Sequence, residues 1–300
     1  MALTTILVGS DLSEGSDSAV DRAIQLAEQH HAQIILVHAQ GDDAPVEDTD
    51  NEMLKQLGEV SAAVRVEEAR GLSERMTRIQ SRGIAADVIS RVGPPGEILA
   101  AAAAERKAEL IVVGTHGRTG ISRFLIGSQA TEVVRHAACD VLVVRGPVKG
   151  PFARPLVAHD FSPAAGVALE HAAALCAPNV PIEVVHAWQL PAGSWGATLL
   201  GQARFPWNTV RDAVVSGAKA EADKVAAAAA ATLTNPIHIE LVQGPATSVL
   251  TTAAERGGHD LIAVGAHGHR GVRRLLLGSV AESTLRHAPC SVLVVHAAKI

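Results

Sequence analysis

The chain has 300 residues, of which 48% are hydrophobic and 19% charged, and its formal net charge is −5. That length suits two ordinary domains or one large one, and the composition excludes a disordered polymer. The acidic balance argues against general nucleic-acid binding, which needs a basic surface, and no apolar run approaches the roughly 20 residues that span a membrane.

The opening residues, MALTTILVGSDLSEG, carry no basic start, long apolar stretch or small-residue cleavage site, so no secretory signal is expected. A strand is predicted at 4–9 instead. A helix follows at 15–31, where Ala19, Ala23, Ile24 and Ala27 recur at helical spacing on one face. Next come a strand at 34–40, a helix at 52–82, a strand at 84–91, a helix at 94–107, a strand at 109–114, a helix at 127–137 and a strand at 140–145. The strand runs ILV, IILV, LIVV and VLVV are apolar without alternation, which suits a parallel sheet covered on both faces. Alternating strands and helices imply right-handed βαβ crossovers. GPVKGP at 146–151 reads as a linker. Beyond it, strands are predicted at 155–160, 182–188, 236–243, 260–265 and 291–296.

The second half repeats the first. ILVGSDLS (6–13) resembles PLVAHDFS (155–162), and IILVHAQ (34–40) resembles IEVVHAW (182–188). RVGPPGEIL (91–99) resembles LVQGPATSVL (241–250), ELIVVGTHG (109–117) matches DLIAVGAHG (260–268), and EVVRHAACDVLVV (132–144) matches ESTLRHAPCSVLVV (282–295). The matches keep their order at a nearly constant offset, so the chain is two homologous halves. Two segments depart from the repeat. GDDAPVEDTDNE (41–52) is acidic but lacks calcium-loop spacing and reads as a solvated loop. WQLPAGSWGATLLGQARFPW (188–207) holds all three tryptophans and reads either as a loop packed on its own domain or as a lid or partner contact.

Each half has one glycine-punctuated loop of pattern G-x2-G-x9-G-S. The positions are Gly114, Gly117, Gly127 and Ser128, then Gly265, Gly268, Gly278 and Ser279. A strand ends at the first glycine, where a backbone without Cβ lets a ligand approach. The last Gly-Ser pair opens a helix, whose free N–H groups and positive dipole end attract anions. Ser128 is expected to cap that helix or to donate to a phosphate. Arg118 and Arg123, and in the second loop His269, Arg270, Arg273 and Arg274, add positive charge. The alternative is a turn with an ordinary helix cap and no ligand. No Lys precedes the Ser, so this is not a Walker A loop, and the spacing and strand position do not fit a dinucleotide fingerprint.

Asp11 follows the first strand, and Asp160 holds the same place in the second half. If the first and fourth strands of each half adjoin where strand order reverses, these carboxylates share the ligand crevice with the glycine loops. They read as acceptors for ribose or adenine, or as helix or turn caps within DLSE and DFSP. The catalytic inventory is thin. His116 and His267 lie in the loops, His38 and His186 near the ends of the second strands, and His136 and His287 late in the last helices, with no HExxH or triad spacing. Cys139, Cys176 and Cys290 form no CxxC and read as reduced thiols, which suggests a reducing cytoplasm.

VGSD or VAHD after the first strand, VGPP or QGP before the third helix, and VVGTHG...GS leading to CDVLVV resemble the universal stress protein family. The resemblance covers nearly the whole chain twice and is to the tandem-domain, ATP-binding form. It implies two domains, 1–146 and 151–300, each an α/β Rossmann-like (adenine nucleotide α hydrolase-like) fold with five parallel strands in order 3-2-1-4-5. It implies one ATP per domain, with a role for Mg left open. By position, Asp11 and Asp160 would meet ribose or adenine, and Ala39 and Ala187 would line the adenine pocket. Val113, Gly114, Val264 and Gly265 would flank the nucleotide. Gly117, Arg118, Gly127, Ser128 and Gln129, with Gly268, Gly278, Ser279 and Val280, would hold phosphates. The resemblance also implies pairing of the two domains through their fifth strands, leaves a homodimer open, and names neither nucleic acid nor membrane as a partner. The expected function is nucleotide-dependent regulation of stress or dormancy responses; a weak ATPase or nucleotidyl transferase, and an adenine-binding scaffold, are the alternatives. The second half differs in having Ala158-His159 where the first has Gly9-Ser10.

Overall fold

A computed structural model describes residues 3–41, 52–115, 127–190, 207–268 and 277–296. The chain divides into two compact units that meet in sequence at Gly150 and Pro151. The first unit runs β1 (Thr5–Gly9), α1 (Glu14–His30), β2 (Gln33–Gln40), α2 (Glu52–Gln80), β3 (Ala86–Val92), α3 (Pro95–Arg106), β4 (Leu110–Gly114), α4 (Ser128–His136) and β5 (Asp140–Val144). Its sheet is ordered β3-β2-β1-β4-β5, and every pair is parallel. The second unit runs β6 (Pro155–Ala158), α5 (Pro163–Leu175), β7 (Ile182–Trp188), α6 (Trp207–Thr232), β8 (Ile237–Gln243), α7 (Ala246–Gly257), β9 (Leu261–Gly265), α8 (Ser279–His287) and β10 (Ser291–Val295). Its sheet is ordered β8-β7-β6-β9-β10, again parallel throughout.

Burial explains the strand runs without alternation. All five residues of β1, β5 and β10 are buried, because helices cover both sheet faces. Ile6, Leu7 and Val8 are fully buried, each worth about 1.5–3 kcal/mol by removal of apolar surface from water. The outermost strands β3 and β8 are largely exposed or half-buried, as sheet edges are. Helix α1 buries Ala19, Ala23, Ile24 and Ala27, the face expected from their spacing. Ser13 caps its N-terminus, and His31 in the left-handed region ends it by donating its N–H to the Ala27 carbonyl.

Strand order positions the site. Chain connections leave β1 toward β2 on one side and return to β4 on the other, so β1 and β4 are the strands between which the order reverses. The same holds for β6 and β9. Crevices at the C-terminal ends of such strand pairs are where open α/β sheets bind ligands. Gly9 and Gly114 end β1 and β4; Ala158 and Gly265 end β6 and β9.

Candidate functional site

The C-terminal end of the second sheet holds a cavity of about 450 Å³. It falls in the size range of small-molecule pockets. Its walls come from the end of β6 (Ala158, His159, Asp160), the start of α5 (Ser162, Ala165), β7 (Val185, His186, Ala187), α7 (Ala246, Leu250), the end of β9 (Val264, Gly265, His267, Gly268) and the start of α8 (Leu277 to Ala281). The second-half residues implied by the family resemblance line it: Asp160, Ala187, Val264, Gly265, Gly268, Gly278, Ser279 and Val280.

Asp160 is held from one side and faces the loop from the other. Its Oδ1 accepts the Ser162 N–H at 3.0 Å and the Ser162 hydroxyl at 2.5 Å. Ser162, not Asp160, is the N-cap of α5, and it accepts the Ala165 N–H. The carboxylate therefore braces the cap through an Asx turn rather than capping the helix itself. Its Oδ2 lies so near Gly268 that a Cβ there would sit 2.8 Å away, so a side chain at 268 would force the Asp160 carboxylate to shift. Glycine at 268 thus lets the loop backbone close over the β6 carboxylate.

The loop is tied at its far end as well. Gly278 N–H donates to the Ala266 carbonyl at 2.8 Å, bringing the start of α8 against the end of β9. Gly278 is the N-cap of α8, with φ −62 and ψ 145, and no side-chain cap hydrogen bond is made there. Ser279 is the first helical residue. The cap falls to glycine, which has no side-chain oxygen to offer the first-turn N–H groups. Ser279, Val280 and Ala281 line the cavity, so the free N–H groups of that helix end open on the pocket.

The first half builds the same corner. Asp11 Oδ1 accepts from Ser13 N–H at 3.1 Å and Ser13 Oγ at 2.6 Å. Gly127 N–H donates to the Thr115 carbonyl at 2.9 Å, and Gly127 caps α4 without a side-chain bond, so of the two readings of Ser128, helix cap or phosphate donor, the cap falls away. Ser128 and Gln129 head α4 and are exposed; Ala39 is half-buried at the end of β2, and Val113 is buried beside half-buried Gly114. A Cβ on Gly114 would lie 2.9 Å from the Gly15 carbonyl, so α1 starts hard against the end of β4. Gly117, Arg118, His116 and Arg123 lie outside the described residues, as do His269, Arg270, Arg273 and Arg274 of the second loop, nearly all of 41–52 and most of the tryptophan segment.

The cavity wall also includes His159, Ala165, His186 and Leu250, none of which the sequence assigned to the ligand. Burial pushes the His159 imidazole down to about 4, against the pull of the adjacent Asp160 carboxylate. The signal for His159 was its replacement of Ser10, but its meaning depends on Ala165, which stands where the first half has Ser16. His136 and His287 end α4 and α8 as the helix dipole favours. Cys139, Cys176 and Cys290 are free thiols. Among the described residues no helix is long and apolar enough to cross a membrane, and no cluster of three metal-ligating side chains occurs.

Similarity to known proteins agrees with this architecture. The model of the universal stress protein family matches residues 3–145 and again 152–296. A universal stress protein of Mycolicibacterium smegmatis is 28% identical, with 97% of this chain and 96% of that protein aligned. Universal stress protein A homolog 2 of Coxiella burnetii is 36% identical over 48% of this chain and 95% of its own length. The crystal structure of a universal stress protein from Archaeoglobus fulgidus shares the fold, with a TM-score of 0.60, 22% identity and 97% of each chain covered. With both halves matched by one family model and joined in a single chain, this protein belongs to the universal stress protein family as a tandem of two domains.

Proposed function

We propose that the protein binds ATP at the β1/β4 corner of the first half and the β6/β9 corner of the second, and acts through nucleotide-dependent conformation or partner binding in stress or dormancy responses. The observation that carries this reading is the second-half cavity, where the Asp160 carboxylate, the Gly268 backbone and the uncapped start of α8 converge. The site fits a nucleotide by chemistry at both ends. Apolar walls from Ala158, Ala165, Ala187 and Leu250 suit a purine face, and the α8 terminus suits phosphate oxygens. Asp160 would receive ribose or adenine donors, and Gly268, Gly278, Ser279 and Val280 would enclose phosphates. In the first half, Asp11, Ala39, Val113, Gly114, Gly117, Arg118, Gly127, Ser128 and Gln129 take the matching roles. Any Mg enters on the phosphates.

Holding is better supported than turnover. Asp160 Oδ1 is engaged by Ser162, and His186 Nδ1 donates to the His159 carbonyl at 2.8 Å, so these atoms brace the pocket rather than await a proton. The test is calorimetric titration of the purified full chain with ATP, beside Gly268→Val. Wild type is expected to bind, and the valine, whose Cβ meets Asp160, to lower second-site affinity by roughly a hundredfold or more. Failure of wild type to bind any adenine nucleotide would discard the reading.

A further inference from the structure

The second half carries another cavity, of about 520 Å³, outside the β6/β9 corner. Its walls come from β7 (Glu183), the edge strand β8 (Glu240, Val242) and the side of α7 that bears Ser248, Thr252 and Arg256. The repeat allows a direct comparison. Strands β3 and β8 pair with β2 and β7 in the same register, and α3 and α7 are 12 residues each. Asp87, Ile89 and Arg91 thus stand where the second half has His238, Glu240 and Val242. Ile35 stands for Glu183, Glu105 for Arg256 and Arg106 for Gly257.

In the first half this place is filled and fastened. Ile35 and Ile89 are buried, at 2% and 7% exposure. Arg91 donates through both Nη1 and Nη2 to the two Glu105 oxygens, at 2.8 and 2.6 Å, and Arg106 donates to Asp87 at 2.7 Å. These pairs join the edge strand to the helix. In the second half each fastening is gone: Val242 and Gly257 replace the arginines, and glutamates replace the isoleucines. Glu183 is steadied by His259, whose Nε2 lies 3.2 Å from its Oε2. Glu240 and Arg256 both line the cavity, yet among the described residues neither makes an ion pair. A solvated charge by itself indicates no ligand. Here a carboxylate and a guanidinium stand on the walls of one cavity without meeting, where the first half has an isoleucine and a closed ion pair. Val242, Val249 and Ala253 add apolar wall.

We infer that this cavity is a second small-molecule site and takes a zwitterion of the α-amino-acid class with an apolar side chain. Glu240, with Glu183 on the neighbouring strand, receives the ammonium. Arg256 receives the carboxylate through its fork of N–H groups, and Val242, Val249 and Ala253 meet the side chain. The first half does not bind there, because Ile35 and Ile89 fill the place. The inference is independent of the nucleotide reading.

The test follows the ¹⁵N-labelled full chain by NMR during titration with L-leucine, isoamylamine and isocaproate. The last two are leucine without its carboxylate and without its ammonium. Leucine is expected to shift the backbone signals of Gly244, Ala253 and Arg256 saturably. Each analogue is expected to bind about tenfold or more weakly, having lost one charged hydrogen-bonded contact. Glu240→Ile restores the first half's filler, and Arg256→Gln is a mild change at an exposed position. Each is expected to weaken leucine binding about tenfold or more, while calorimetric titration with ATP stays as in wild type. Arg256→Gln keeps the test decisive if Glu240→Ile misfolds. Absence of saturable leucine shifts in wild type, or shifts lying away from the cavity, would overturn the inference. So would an analogue that binds as well as leucine, or leucine binding unchanged by Arg256→Gln. Wild type that binds leucine here but no adenine nucleotide removes the nucleotide reading and leaves this inference standing.

Discussion

The β1–α1 corner of the first half and the β6–α5 corner of the second are built from the same backbone and finished with different chemistry. In both, a residue at positive φ follows the aspartate, Leu12 at φ 65 and Phe161 at φ 63. In both, a serine caps the helix and the aspartate braces that serine. In both, a histidine from the second strand donates Nδ1–H to the carbonyl of the residue before the aspartate, at 2.8 Å. The side chains then diverge. His38 points Nε2 toward Glu68 of α2, 3.5 Å from Oε1, while His186 stacks on Phe161. Ser10 and Ser16 satisfy one another, while His159 and Ala165 do not. Duplication preserved the parts that position the carboxylate and let the side chains around it diverge.

The largest effect expected of this difference is a pH dependence confined to the second half. His159 titrates near 4 in the folded protein and near its ordinary 6.5 when unfolded. Between those values the unfolded chain binds more protons, so stability is full above about 6.5, declines as pH falls toward 4, and is level below. The total is about 3 kcal/mol. Urea unfolding across pH 4–7, followed by tryptophan emission, reads the second half, because all three tryptophans lie at 188–207. His159→Ser should flatten that dependence. An unaltered slope in the variant would place the proton uptake elsewhere and remove this contrast between the halves.

A smaller effect separates the two β-strand glycines. A Cβ at Gly114 would lie 2.9 Å from the Gly15 carbonyl and 3.5 Å from Ser16 Cα, both rigid backbone. A Cβ at Gly265 would lie 3.2 Å from the His267 carbonyl and touch Ala164 at an ordinary 3.8 Å. Gly114→Ala is therefore expected to cost about 1–3 kcal/mol by overpacking, and Gly265→Ala clearly less. Equal losses in chemical denaturation would show that the helix start packs as tightly in both halves.

Much of the fold was legible because its signals are local or repeated. Apolar runs marked the central strands, helical spacing marked α1, and the internal repeat doubled each observation. The aspartates and glycine loops were legible as a pair because strand order brings the ends of β1 and β4 together, and the second half meets that condition again at Asp160 and Gly268. The cap reading of Ser128 fails for a physical reason: serine is a favoured N-cap, yet the Gly127 N–H, tied back to Thr115, places glycine at the cap and the serine one residue into the helix, as Gly278 does with Ser279. His159 was visible as a departure from the repeat, but the turn bond from Phe161 to its ring and the burial of that ring are facts about packing rather than pattern.

The smallest predicted effect tests the part of the comparison that should not differ. Ser13 and Ser162 do the same work in their corners: each hydroxyl donates to the aspartate and each oxygen accepts a first-turn N–H, at 3.3 Å from Ser16 and 3.2 Å from Ala165. Replacing an N-cap serine by alanine costs typically about 1 kcal/mol. Ser13→Ala and Ser162→Ala should therefore lower the stability of their own halves by similar amounts, measured by denaturation. They should also loosen Asp11 and Asp160 alike, because each carboxylate loses a hydroxyl partner. The ligand consequence then differs. In the second half the released Asp160 still has Gly268 against Oδ2, so nucleotide affinity should fall only a few-fold there. A much larger loss at Ser162 than at Ser13, with equal stability changes, would mean that the cap serine of the second half contacts the ligand itself, and that the two corners diverged further than their shared backbone shows.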